Sequence, residues 1–91
     1  MTLILYSKPG CHLCEGLQEK IEKIQATSQK LGKFQLEIRD ITTREDWFQT
    51  YQYEIPVLFK SSEIDNTEHH IPRPSPRMSV TQLEQLLQKY W

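Results

Sequence analysis

Apolar and polar positions follow two periods along this chain, and the changes between them mark its elements. Residues 2–6, Thr-Leu-Ile-Leu-Tyr, are a near-continuous apolar run, which predicts a strand buried on both faces. Ser7-Lys8-Pro9-Gly10 breaks the run, with Pro-Gly as the turn signal. Over residues 11–29, Cys14, Leu17, Ile21 and Ile24 recur at steps of three and four, the mark of one helix face. Gly32 is expected to close that helix. Phe34, Leu36 and Ile38 then alternate with Gln35, Glu37 and Arg39, a strand with one buried face.

Residues 40–43 turn the chain, and Thr42 or Thr43 is expected to cap a short helix reaching residue 51, with Trp47, Phe48 and Tyr51 inward. Residues 55–59 read as a third strand, with Pro56 near its start, where a missing N–H is tolerated. A polar hairpin loop over 61–67 leads to a short antiparallel strand at 68–71. The prolines of residues 72–77 keep that stretch extended. Ser79 and Gln82 form a capping box for a last helix striped by Val80, Leu83, Leu86, Leu87 and Tyr90. The order is βαβ, then α, then ββα. It calls for a right-handed parallel crossover followed by an antiparallel hairpin with a covering helix. No repeat or linker interrupts it, so residues 1–91 form a single domain.

Hydrophobic residues at 37% and charged residues at 25% suit a folded soluble chain rather than a disordered one. The net charge of -1 leaves no concentrated basic excess for nucleic acid or an anionic membrane. No apolar run approaches the roughly 20 residues of a membrane span. The opening run is too short for a signal peptide, so the expected location is the cytoplasm.

Two cysteines, Cys11 and Cys14, stand three positions apart. A bridge between them closes almost no loop, so its value lies in chemistry rather than in stabilisation. Cys11 falls where the first strand gives way to the first helix. The free N–H groups and dipole of a helix N-terminus favour a thiolate, and Lys8 adds positive charge nearby. Thiols so placed commonly have pKa values of about 3.5–7.5. Cys11 is therefore expected to be exposed and nucleophilic, and Cys14, one turn in, to be shielded and to resolve the mixed disulfide. His12 beside Cys11 would stabilise its thiolate if protonated; an inert loop histidine is the plain alternative. Gly16 either permits a close backbone approach or is merely tolerated, at a propensity cost of about 1 kcal/mol.

Other residues carry plainer readings. His69 and His70 with the cysteines make up a zinc-type ligand set, but neighbours on a strand point to opposite faces. Both are assigned to an edge strand, and no metal site is expected. Arg73 and Arg77 are read as solubilising loop charges, with an anion grip near the last helix as the alternative. Trp47, Phe48 and Tyr51 are core or groove wall rather than a stacking platform for bases.

The segment Tyr6-Ser7-Lys8-Pro9-Gly10-Cys11-His12-Leu13-Cys14 closely resembles the active-site segment of glutaredoxins, and Ile55-Pro56-Val57 resembles the segment holding that family's cis-proline. The element order resembles a thioredoxin-like fold of the glutaredoxin type, with a four-stranded mixed sheet, over the whole chain. The nearest likeness is to small glutaredoxin-related proteins of bacteria. The resemblance implies that Cys11 attacks and Cys14 resolves. It implies that Lys8 pairs with a substrate carboxylate, that Pro56 is cis, and that the backbone of Ile55 pairs with a bound peptide as an added strand. Two features depart from the family. His12-Leu13 replaces Pro-Tyr or Pro-Phe between the cysteines. The Gly-Gly turn and following acid that receive the γ-glutamyl end of glutathione are replaced by residues 73–79, Arg-Pro-Ser-Pro-Arg-Met-Ser.

The expected activity is dithiol reduction of protein or low-molecular-weight disulfides by a monomer with no bound cofactor. Re-reduction is expected from glutathione or a thioredoxin-type reductase system. The alternatives are a metal or iron–sulfur binding module of the same fold and a non-catalytic adaptor using the groove beside Pro56.

Overall fold

The computed structural model describes residues 1–62 and 67–91. The elements are β1 (Thr2–Ser7), α1 (His12–Thr27), β2 (Gln35–Asp40), a 3-10 turn (Ile41–Thr43), α2 (Glu45–Tyr51), β3 (Val57–Ser61), β4 (Glu68–Ile71) and α3 (Val80–Tyr90). The sheet order is β2-β1-β3-β4. β1 runs parallel to β2 and antiparallel to β3, and β3 pairs antiparallel with β4. The βαβ-α-ββα order expected from the pattern is therefore the order observed.

Being central, β1 buries both of its faces, as its unbroken apolar run requires. Leu3 and Leu5 point to one side, where they meet Ile21 and Ile24 of α1, Leu58 and Ile71 of the hairpin, and Leu83 and Leu87 of α3. All eight are fully buried, and each such side chain contributes about 1.5–3 kcal/mol relative to exposure. Ile4 and Tyr6 point to the other side, against Ile41, Val57 and the Trp47, Phe48 and Tyr51 rings of α2. Arg39, from edge strand β2, lies over the Tyr6 and Trp47 rings. It donates to the Tyr6 hydroxyl at 2.6 Å, to both carboxylate oxygens of Glu68 and to Glu37. Partial burial opposes its charge, but the bonds to Glu68, Glu37 and Tyr6 outweigh it and hold the guanidinium's pKa above its ordinary value.

Several boundaries differ from expectation. α1 ends at Thr27 rather than at residue 29, with extended Ser28 as its C-cap, and Gly32 takes its φ of +69° in the loop beyond. Neither Thr42 nor Thr43 caps α2: Arg44 holds that position without a side-chain bond. Asp40 caps the 3-10 turn instead, bonding the Thr42 hydroxyl and N–H, which lowers its carboxyl pKa. β2 is an edge strand, so Ile38 is 40% exposed despite its alternating pattern. β3 opens at Val57, after Ile55 and Pro56. The expected 61–67 loop falls largely on residues 63–66, outside the described residues, while Ser61 still belongs to β3. At the other end, Trp91 packs edge-on against Phe34 and donates its indole N–H to the Leu31 carbonyl at 2.9 Å.

Candidate active site

The site begins where β1 runs out. Pro9 and Gly10 form the turn, and Gly10 sits at a φ of +82°, a conformation that only glycine adopts without cost. The turn closes with the Cys11 N–H donating to the Lys8 carbonyl at 3.3 Å. It delivers Cys11 as the N-cap of α1, where its Sγ accepts the Cys14 N–H at 3.2 Å. A sulfur thus takes the place that a Ser or Asp oxygen takes at ordinary helix starts. The charge-favouring end of the helix is aimed at the attacking thiol expected from the sequence.

Cys11 and Cys14 are joined as a disulfide, with Cα atoms 5.3 Å apart. Their exposures differ: Cys11 is partly exposed and Cys14 is 2% exposed. Lys8 lies exposed on the turn. The His12 ring faces solvent, with Nδ1 3.7 Å from the Glu15 carboxylate. Among the described residues no cluster of His, Cys, Asp and Glu is arranged to hold a metal ion. His69 and His70 lie exposed on β4.

The Ile55–Pro56 peptide bond is cis. The Ile55 N–H donates to the Tyr51 carbonyl at 3.1 Å, and the Ile55 carbonyl accepts from Arg73 Nη2 at 3.4 Å. Both backbone groups of Ile55 thus already have partners within the chain.

Pro56 also walls a cavity of about 170 Å³ that starts at His12 and Leu13, between the cysteines, and runs under the 73–78 loop. Leu17, Met78 and Leu83 give it an apolar floor. Lys20 pins the loop, donating to the Pro76 carbonyl at 3.1 Å and the Met78 carbonyl at 2.7 Å. Gly16 lines the cavity, and a Cβ built there meets nothing within 4 Å, so its lack of side chain leaves space open rather than admitting a neighbouring backbone. Sequence reading had no route to Lys20, whose partners lie 56 and 58 residues away. Arg73 was visible as a loop charge, with an anion grip as the alternative, but not its bond to Ile55.

No curated protein matches the chain. Among solved structures, thioredoxin 1 from the thermophilic eubacterium Thermosipho africanus TCF52B is similar, at 18% identity and a TM-score of 0.62, over 99% of this chain and 93% of that one. A malarial protein is similar at 16% identity and a TM-score of 0.63, over 97% and 93%. The fold is thus thioredoxin-like. The family model described as Glutaredoxin-like domain (DUF836) matches residues 2–88, so the chain belongs to the glutaredoxin-like domain family.

Proposed function

We propose that the protein is a dithiol–disulfide oxidoreductase. The observation that carries this reading is the asymmetry of the pair: a partly exposed Cys11 at a helix cap, its sulfur 3.2 Å from a backbone nitrogen, beside a buried Cys14. In the reduced form the Cys11 thiolate attacks one sulfur of a substrate disulfide. That bond breaks, a mixed disulfide forms, and the leaving thiolate takes up a proton. Cys14, as thiolate, then attacks the Cys11 sulfur, forms the Cys11–Cys14 bond and expels the second substrate thiolate. Two electrons pass from the protein dithiol to the substrate disulfide. Lys8, His12, Ile55 and Pro56 form the substrate side of this reading. Glutathione or a thioredoxin-type reductase system would return the electrons, and a reducing compartment such as the cytoplasm suits that cycle.

The test is a pair of variants. Cys11→Ser is expected to cut disulfide reduction by about a thousandfold or more, because no thiolate remains at the helix terminus. Cys14→Ser is expected to accumulate the mixed disulfide, visible by intact mass. Equal and mild effects of the two substitutions would overturn the reading.

A further inference from the structure

A second, more open hollow lies along α3 and shares Ser75 and Met78 of the 73–78 loop with the first, so the two adjoin there and together make a trough-like surface. Lys20 and Arg73 line the first hollow, Arg77 and Lys89 the second, and among the described residues no Asp or Glu lines either. The chain as a whole has 12 acidic and 11 basic residues, so this segregation is local. Single exposed charges contribute little, but several of one sign lining a concave surface focus the field on whatever enters it.

Arg73 sits at the inner end of the trough, where it also borders a third hollow across Pro56. Among the described residues its one hydrogen bond is the 3.4 Å contact to the Ile55 carbonyl. That bond is long, exposed and easily exchanged, and a guanidinium prefers a carboxylate, which it can grip with two parallel bonds. Such an exchange would release the Ile55 carbonyl to a substrate N–H. The surrounding loop is already held by its prolines and by Lys20, so little of it remains to be ordered on binding.

We propose that the disulfide attacked by Cys11 is carried on an acidic polypeptide segment seated in this cationic trough, with Arg73 selecting the acid nearest the disulfide. The inference rests on the oxidoreductase reading.

The test uses short peptides whose cysteine carries a 2-thiopyridyl disulfide, flanked by three glutamates or by three glutamines. The rate of thiopyridone release by the reduced protein is divided by the rate with 2-mercaptoethanol. The glutamate peptide is expected to react about tenfold faster at low ionic strength, an advantage that collapses in about 0.5 M salt. Arg73→Gln/Arg77→Gln is expected to bring the ratio within about twofold of one, whereas Lys23→Gln/Lys30→Gln, which removes equal charge elsewhere, leaves it unchanged. The glutathionyl 2-thiopyridyl disulfide, a short anionic probe, is expected to lag behind the glutamate peptide. Equal rates with the two peptides, equal loss in both double variants, or a glutathionyl probe as fast as the glutamate peptide would overturn the inference alone. Release no faster than by 2-mercaptoethanol from every probe would overturn the oxidoreductase reading itself.

Discussion

The site has two rims, and they are built by different means. The first, residues 8–14, is held by bonds between near neighbours: Cys11 N–H to the Lys8 carbonyl, Cys14 N–H to the Cys11 sulfur, and a left-handed Gly10. The second, residues 73–78, is pinned from outside. Lys20 reaches it from α1 and Arg73 reaches back to Ile55. Its internal bonds are the Met78 N–H to the Ser75 carbonyl at 3.0 Å and the Arg77 N–H to the Ser75 hydroxyl at 3.3 Å. The first rim places the Cys11 sulfur and the second walls the cavity beside it. Under the proposed function, chemistry is set locally and selection by contacts across the fold.

The largest expected effect that separates the rims comes from Lys20. Lys20→Met keeps most of the stem but removes both bonds to the loop, and is expected to lower stability by about 1–2 kcal/mol. Hydrogen exchange should rise at the Met78 amide, while the Cys14 amide keeps its protection. Equal loosening at both amides would mean that the rims are one unit. Gly10→Ala acts on the first rim alone. Space is open for the methyl group, so only the backbone conformation resists, at a cost of about 1 kcal/mol. Urea unfolding of the variant measures it, and an unchanged midpoint would remove Gly10 from the account. The smallest effect has the opposite sign. Gly16→Ala is expected to stabilise α1 by about 0.5–1 kcal/mol, and its methyl group narrows the cavity that both rims border. A higher melting temperature with slower reduction of bulky disulfides would show that Gly16 serves the cavity. Faster or unchanged reduction would show that it does not.

Much of this was legible along the chain. Leu3, Leu5, Ile21, Ile24, Leu83 and Leu87 were all in the apolar pattern, because a central strand and two amphipathic helices write their burial directly into residue order. The Ser79–Gln82 capping box was readable for the same reason, since both partners lie within one helical turn. Ile38 shows where such reading stops. Its alternation marks a strand, but exposure depends on the strand's place at the edge of the sheet. Arg44 in place of Thr42 or Thr43 at the start of α2 shows the same limit, since the 3-10 turn capped by Asp40 had already used the threonines.

The sequence by itself determined the order of elements, the two-sided burial of β1 and the pairing of Cys11 with Cys14 at a helix start. Those features depend on neighbours at fixed short separations, whose geometry is set by helix and strand periods. Only the tertiary structure decided that Ile55 has its N–H bonded to Tyr51 and its carbonyl to Arg73, that Lys20 anchors the 73–78 loop, and that Lys20, Arg73, Arg77 and Lys89 line two adjoining hollows with no carboxylate among the described residues. Those facts join residues far apart in the chain, and no local period encodes which distant side chains a fold brings together.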